Sequence, residues 1–292
     1  MKLIFRFLGF LFAAGTILFV IGVAATAGLL WHFSKDLPDY SQLQDYEPPV
    51  MTRVHAGDGS LLGEYSKERR LYLPIQAVPK LVINAFVSAE DKNFYHHIGV
   101  DPEGIMRAIA TNLTHPGRRQ GASTITQQVA KNFLLSSEQT FDRKIKEMLV
   151  ALKIETAYSK ERILELYLNE IYLGQAGSVS IYGIGEAAHR YFGKPLDALS
   201  IEEIALVAGL IKGPNTYSPA KNLEQATQRR NVVLRRLRDE GIVTEEAWKE
   251  AVNRPVHISL PEDVVTDAPY FVDYLLRQVE AGTGMGIPEG SR

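Results

Sequence analysis

The feature that most constrains this chain is an uncharged stretch near its amino terminus. No charged residue occurs from Phe7 to Trp31. A helix rising about 1.5 Å per residue would span roughly 37 Å here, enough for a hydrocarbon core of about 30 Å. Lys2 and Arg6 precede the stretch, so the positive-inside rule places the amino terminus in the cytoplasm. A cleaved signal peptide is the alternative, because Ala25-Thr26-Ala27 fits a cleavage site. The length of the apolar run favours a retained anchor. Under either interpretation the rest of the chain is exported across the membrane.

Charge and cysteine usage narrow the classes of protein. The formal net charge is only −2, which argues against a protein that coats nucleic acid. Between Arg107 and Lys146, however, seven Lys and Arg residues stand against two acidic ones. Taken alone, such a stretch is typical of a solvated surface. The chain has no cysteine, which excludes disulfides, zinc–thiolate sites and a cysteine nucleophile.

Hydrophobic patterning predicts a mainly α fold that follows a short β section. Residues 34–49 contain three prolines and are typical of a juxtamembrane linker. Residues 51–55 and 61–65 flank a Gly-Asp-Gly turn and predict a hairpin, and residues 71–73 predict a further strand. From Pro79 to about residue 253 the period is helical.

Local signals mark where several helices begin and end. Asp101-Pro102-Glu103 is a good helix start, and two segments fit capping boxes, Thr124-x-x-Gln127 and Ser200-x-x-Glu203. A further helix is predicted to begin after Ser159 and to continue through Tyr172, where Gly174 can stop it.

The first segment with chemical potential is Glu90-Asp91-Lys92-Asn93-Phe94-Tyr95-His96-His97. Two adjacent carboxylates at a predicted helix end, followed by an aromatic residue and two imidazoles, can provide a general base and its supports. Acidic residues at helix ends are also commonly solvated, and a histidine often satisfies a hydrogen bond of the core. The segment alone leaves both interpretations open.

The second segment runs from Gly121 to Asn132 and leads from a turn of small residues into a polar helix. Free backbone N–H groups at such a helix start suit an anion, and Lys131 adds a positive charge two turns on. An ordinary capped helix with a polar face is the alternative.

The third segment, Phe141–Glu147, predicts a helix with one apolar side. Arg143, Lys144 and Glu147 fall together on the opposite side. A carboxylate flanked by two cations is either a surface ion-pair cluster or a phosphate-binding patch organised by an acid.

In order and spacing, these segments resemble the peptidoglycan glycosyltransferase family, which includes a domain of class A penicillin-binding proteins and monofunctional relatives. That family shows the motifs E-D-x-x-F-x-x-H-x-G, G-x-S-T-I-T-Q-Q and R-K-x-x-E. Two later family motifs match Glu165–Gly174 and the stretch from Tyr182 to Lys194. The resemblance covers roughly residues 50–240, and five motifs in order make it specific.

The resemblance implies a lysozyme-like glycosyltransferase domain. Its helical head would contain Glu90, and a smaller membrane-facing jaw would comprise roughly residues 106–140. The implied reaction transfers the growing glycan from undecaprenyl pyrophosphate to the 4-hydroxyl of lipid II, with inversion at the anomeric carbon. Glu90 then matches the general base, and Glu147 matches the second essential acid. The jaw would join its basic residues to apolar side chains such as Phe133, Leu134 and Leu135.

Further positions match family residues around the substrates. Those expected to support the base are Asp91, Phe94 and His97. Those expected to meet the pyrophosphate charge are Lys131, Arg143 and Lys144. Those expected to line the sugar–phosphate cleft are Ser123, Thr124, Gln127 and Gln128, with Asn132 beside them.

The resemblance also implies partners and a location. The expected partners are lipid II, the growing lipid-linked glycan, the cytoplasmic membrane and other cell-wall synthesis proteins, with no nucleic acid. The chain would be a single-pass protein of a bacterial cytoplasmic membrane with its catalytic domain outside. No ligand spacing demands a cofactor, and a divalent cation such as Mg²⁺ stays an open alternative. The predicted divisions are an anchor in 1–33, a linker with the β section in 34–75, the glycosyltransferase domain in 76–253 and a linker in 254–292.

Two features depart from the family or from class A proteins. Many relatives carry an arginine where this chain has Gln139, so one cation is missing or supplied by Arg118 or Arg119. The S-x-x-K, S-x-N and K-T-G set of a transpeptidase is not found, and the segment Ala268–Val272 resembles the approach to such a domain. We therefore expect a truncated class A protein, and we do not expect these residues to bind penicillin.

Two other functions compete with this hypothesis. A lysozyme-like hydrolase or lytic transglycosylase would also use an acidic residue, but it needs no pyrophosphate clamp. A membrane-anchored scaffold would also contain apolar helices, but it would not need glutamates flanked by positively charged side chains.

Overall fold

The computed structural model describes residues 2–35, 37–44, 46, 52–55, 57–58, 61–65, 71–115, 121–135, 140–176, 179–259, 274 and 277–278. Arg118, Arg119, Gln139 and the segment Ala268–Val272, which the sequence singled out, lie outside the described residues.

Helices make up most of the described chain. In chain order they are α1 (Lys2–Ser34), α2 (Lys80–Glu90), α3 (Pro102–Thr114), α4 (Ile125–Leu134), α5 (Phe141–Ala157), α6 (Lys160–Glu170), α7 (Ile184–Phe192), α8 (Ile201–Leu210), α9 (Leu223–Asp239) and α10 (Glu245–Asn253). The strands are β1 (Thr52–His55), β2 (Leu61–Tyr65), β3 (Tyr172–Ala176) and β4 (Val179–Tyr182). The predicted mainly α class is confirmed.

Helix α1 matches the predicted apolar stretch. Its segment Gly9–Ser34 has a mean hydropathy of 2.2 and is long and apolar enough to cross a membrane. None of its most apolar window is buried against the rest of the protein. Length and composition therefore fit a membrane span.

The predicted hairpin is confirmed, but the third strand before the helical region is not. Strands β1 and β2 pair antiparallel, with Thr52 opposite Tyr65. Residues 71–74 form no strand. Instead, the side chain of Asn169 on α6 accepts a hydrogen bond from Leu73 N and donates one to Leu73 O, each at 2.8 Å. A side chain thus takes the place of a neighbouring strand.

Helix α6 ends earlier than predicted. The sequence predicts that it continues through Tyr172, yet the helix stops at Glu170 and Tyr172 begins β3. Tyr172 pairs with Tyr182 across the antiparallel β3–β4 sheet. Gly174 lies within β3 at φ +113°, where an added Cβ would lie 2.8 Å from Tyr191 Oη and 3.1 Å from Pro214 O. Pairing with a distant strand therefore overrides the local helical pattern.

The core is built around α8, whose residues 202–210 are all buried. Helix α8 packs against α2 and α9, and this places the end of α2 beside α9. The capping boxes predicted at Thr124 and Ser200 are both present, and α3 begins at Pro102 as expected.

The segment that follows α1 is docked on the helical core. The side chain of Leu43 is 1% exposed and belongs to the core. Tyr158 Oη donates to Tyr40 O at 2.9 Å, and Arg162 Nη2 donates to Leu43 O at 3.0 Å. The end of the apolar helix is therefore tied to α5 and α6 through these contacts.

Candidate active site

Glu90 is the last residue of α2 and lies at a cleft. The cleft has a volume of about 190 Å³, and Ser88, Asp91, Ser123 and Arg236 also line it. Burial raises the pKa of Glu90, although the Gln128 amide and the charges of Arg229, Lys212 and Arg236 oppose that effect. A carboxyl group with a raised pKa is closer to the proton affinity that a general base needs near neutral pH.

Asp91 joins the Glu90 helix to two other parts of the site. Both of its carboxylate oxygens lie 3.0 Å from His97 Nε2, and Oδ2 accepts a hydrogen bond from Ile125 N at 2.9 Å. His97 Nδ1 accepts a hydrogen bond from Gly99 N at 3.1 Å. Because Nδ1 is an acceptor, the ring proton lies on Nε2 and is donated to Asp91.

The start of α4 holds an anion, as the sequence predicted, but that anion belongs to the protein. The carboxylate of Asp91 accepts the Ile125 N–H in the first turn of the helix. Free N–H groups and the helix dipole favour negative charge at this position. The contact therefore fixes the residue next to Glu90 and takes up the Ile125 N–H.

Phe94 and Lys160 stabilise the loop of residues 91–100 that follows Glu90. Phe94 is fully buried, and Lys160 Nζ lies 4.4 Å from the centre of its ring. Lys160 Nζ also donates to His97 O at 2.8 Å and to Glu155 Oε1 at 2.7 Å. The loop 91–100 is thus held by α5 and α6 as well as by α4.

The polar residues of α4 separate into two groups. Thr124, just before the helix, and Gln127 are buried and exchange hydrogen bonds in the capping box, and of the two only Thr124 lines the cleft among the described residues. Gln128 Nε2 instead donates to Glu90 Oε2 at 3.3 Å. Lys131 is exposed one turn farther along the face that carries Gln128. Asn132 is also exposed.

The predicted cationic cluster is present on α5. Lys144 Nζ donates to Ser123 Oγ at 2.9 Å and is paired with the carboxylate of Glu147. Glu147 is 3% exposed. The buried Nε of Arg143 has no hydrogen-bond partner within the described part of the chain. A buried guanidinium N–H usually has a hydrogen-bond partner, so this one leaves a donor of the cluster unused.

Three cations near Glu90 were missed by the sequence analysis: Arg229, Arg236 and Lys212. Arg229 and Arg236 lie on α9, within a stretch of the chain that the motif segments do not include. Arg236 Nη1 donates to the carbonyl oxygens of Ser88 and Ala89. Clustered arginines on a polar helix are usually solvated, so no sequence signal separates these two from their neighbours.

A metal site is not formed by the described side chains. Across these residues, no group of three or more His, Asp or Glu side chains is arranged to hold a metal ion. The carboxylate of Asp91 is taken up by His97 and Ile125, and that of Glu147 is paired with Lys144.

Known proteins are similar over nearly the whole chain. Penicillin-binding protein 1A of Rickettsia felis is 43% identical over 268 residues, which cover 90% of this chain and 33% of that protein. Penicillin-binding protein 1A of Aquifex aeolicus is 46% identical over 239 residues, covering 82% and 32%. The crystal structure of Penicillin-Binding Protein 1A from Haemophilus influenzae has a TM-score of 0.46 at 25% identity, covering 82% of this chain and 25% of that chain.

The chain spans about a third of the length of the curated relatives it matches. The model of the transglycosylase family matches residues 58–238, which is more than half of the chain and agrees with the lysozyme-like fold class expected from the motifs. The chain therefore belongs to the transglycosylase family.

Proposed function

We propose that this chain polymerises lipid II into peptidoglycan strands by inverting glycosyl transfer. The donor is the growing glycan on undecaprenyl pyrophosphate, and the acceptor is the 4-hydroxyl of lipid II. The observation that carries the proposal is a half-buried carboxylate, Glu90, in the same cleft as Ser123, which contacts a cationic cluster. Residues 76–253 form the catalytic domain in this proposal.

Glu90 acts as the general base. Its carboxylate takes the proton of the acceptor hydroxyl as that oxygen attacks the anomeric carbon of the donor. The Gln128 amide, 3.3 Å from Glu90 Oε2, orients the carboxylate. Asp91 and His97 hold the adjacent backbone. Together these contacts fix the base in the geometry that proton transfer requires.

The cationic cluster meets the charge that develops on the leaving group. When the bond to the anomeric carbon breaks, its electron pair goes to the lipid pyrophosphate, which leaves as an anion. Arg143 offers an unpaired Nε, and Glu147 holds Lys144 against Ser123. Preorganised cations stabilise such a transition state without reorganising during the reaction. Lys131 adds a third positive charge.

Hydrolysis or lytic cleavage of glycan is the weaker alternative. Those reactions expel a neutral sugar and gain nothing from cations at the leaving group. A buried carboxylate with its own cation, as in Glu147 and Lys144, favours the transferase.

We further propose a bacterial cytoplasmic membrane location with the catalytic domain on the outer side. Helix α1 supplies the anchor. A second contact comes from α3, where Met106, Ile109 and Leu113 are exposed at helical spacing. Arg107 is exposed on a different side of the same helix, where it lines the cleft and lies 3.7 Å from Asp101; its positive charge also suits anionic lipid. This stripe replaces the predicted one, because Phe133 and Leu134 pack partly buried against the core and Leu135 is half-buried.

The proposed function is tested by incubating the detergent-solubilised chain with lipid II and sizing the glycan products. Glu90→Gln keeps the side-chain shape but removes the proton acceptor, so polymerisation should fall at least about 10²-fold. Glu246→Gln, an exposed residue at the start of α10, is the matched control and should keep full activity. Long glycan made at the wild-type rate by Glu90→Gln would remove Glu90 as the base.

The cationic cluster is tested in the same assay. Arg143→Ala and Lys131→Ala should each lower turnover strongly, because the leaving pyrophosphate loses a stabilising charge. Lys153→Ala changes an exposed cation on the same helix as Arg143 and should be neutral. Equal activity in all three variants would move the pyrophosphate site elsewhere.

A further inference from the structure

The carboxyl end of α2 is capped by a side chain from a distant helix. Arg236 Nη1 donates to Ala89 O at 2.6 Å and to Ser88 O at 3.1 Å. These are the two residues immediately before Glu90, and the last carbonyls of a helix have no partner within that helix. A cation at this end also interacts favourably with the helix dipole.

This cap controls where the chain leaves α2. Asp91 holds the next residue from the other side, through His97 and Ile125. Glu90 therefore stands between two anchored points, one on α9 and one on α4. Loss of either anchor lets the last turn fray, since terminal helical turns are held mainly by such outside contacts.

The charged and polar groups around Glu90 come from several elements. Arg229 and Arg236 belong to α9, and Lys212 follows α8. Helix α4 contributes the neutral amide of Gln128, and α6 contributes the buried Tyr167. The adjacent residues are Asp91 and Lys92.

Arg236 differs from the other two cations in its contacts. Arg229 Nε donates to Gly209 O at 3.3 Å and is tied to α8. Arg236 is bonded to the backbone that carries Glu90 and lines the same cleft.

We propose that Arg236 is a positioning residue for Glu90, which holds the end of α2 so that this carboxylate is directed into the cleft. The proposal rests on the proposed function of Glu90 and extends it to a residue outside the five motifs. Arg236 supplies both the hydrogen bonds that fix the backbone and a positive charge that favours the ionised form of Glu90.

Three variants separate positioning from general stability. Arg236→Gln removes the charge and most of the cap, Arg236→Lys keeps the charge, and Arg235→Gln removes an exposed neighbouring charge on the same helix. Each full-length variant is assayed for kcat and KM with lipid II across pH, at temperatures well below its unfolding transition. The titration of Glu90 is followed by carbon NMR of labelled glutamate, with Glu90→Gln used to assign the signal.

Arg236→Gln should lower kcat by roughly ten- to a hundredfold, as expected for a displaced catalytic group, with little change in KM. The acidic limb of its pH profile should move to higher pH, because the base loses a cation that favours its charged form. Arg236→Lys should recover most of kcat and the wild-type limb, and Arg235→Gln should match wild type.

A folded Arg236→Gln variant with wild-type kcat and an unmoved acidic limb would overturn the proposal. If the wild-type chain makes no glycan, the proposed function fails. The NMR titration of Glu90 then tests the role of Arg236 without an activity assay. A higher Glu90 pKa in Arg236→Gln than in Arg235→Gln then supports the contact, and equal values overturn it.

Discussion

Replacing Asp91 by asparagine tests the contacts with His97 and Ile125 that hold the residue next to Glu90 in place. The carboxylate is buried and receives the His97 ring N–H and the Ile125 backbone N–H. Asparagine has nearly the same shape but only one acceptor oxygen. Oδ2 lies within reach of both donors and Oδ1 within reach of His97 alone. With its oxygen in the Oδ2 position, asparagine keeps the Ile125 contact but turns its amide N–H group towards the His97 ring N–H.

The magnitude follows from the two contacts. A hydrogen bond to a charged group contributes about 1.5–3 kcal/mol, and a buried donor left unpaired costs a similar amount. One contact survives in weakened form, so Asp91→Asn should lower the free energy of unfolding by about 2–3 kcal/mol. For a domain of this size that corresponds to a fall of roughly 4–12 °C in Tm.

The assay is a double-mutant cycle between Asp91→Asn and His97→Ala, read by thermal unfolding in detergent. The two side chains are in direct contact, so their effects should not add, and the interaction energy should be about 1 kcal/mol or more. Asp197→Asn, at an exposed position in a short turn, is the control and should leave Tm unchanged. Lipid II polymerisation by Asp91→Asn should also fall, because the residue next to Glu90 is released.

Additive effects of Asp91→Asn and His97→Ala would refute this reasoning. They would mean that each side chain stabilises the fold separately, and that the contact does not hold the loop. A variant with unchanged Tm but reduced polymerisation would instead place Asp91 in direct contact with substrate.

Two further predictions concern the membrane surface and pH. A chain lacking residues 1–33 should bind anionic vesicles weakly in a salt-sensitive way, and Met106→Gln with Leu113→Gln should reduce that binding in co-sedimentation, because the exposed side chains can enter the interface. Equal binding by the double variant would place the membrane contact elsewhere. Burial raises the pKa of Glu170 from 4.5 to about 7, so its contribution to stability is present at pH 4 and is lost as pH rises to about 7. Between pH 5 and 8, the fall in Tm should therefore be smaller for Glu170→Gln than for wild type. The exposed control Glu246→Gln should behave as wild type. Identical Tm profiles for all three proteins would contradict this role of Glu170.

Much of the fold could be predicted because its signals are local. The apolar run of α1, the capping boxes at Thr124 and Ser200 and the hairpin of β1 and β2 each depend on residues close together in the chain. The grouping of Arg143, Lys144 and Glu147 followed from helical geometry alone. Family motifs added the identity of Glu90 as the candidate base.

Other features depend on partners that are far apart in the chain and could not be predicted. Helix α6 ends at Glu170 because Tyr172 pairs with Tyr182 in a second strand. The exposed apolar stripe lies on α3, because the side chains of Phe133 and Leu134 on α4 are packed against the core.

The sequence by itself determined which residue types are available for the chemistry: the carboxylates, the cations and the anchor. Only the tertiary structure decided how they are used. It assigned the anion site at the start of α4 to Asp91, and it brought Arg236 to the end of α2 across 147 positions of chain. The physical reason is that periodicity reports which face of a helix is apolar, whereas the partner of a buried polar group is set by which helices pack together.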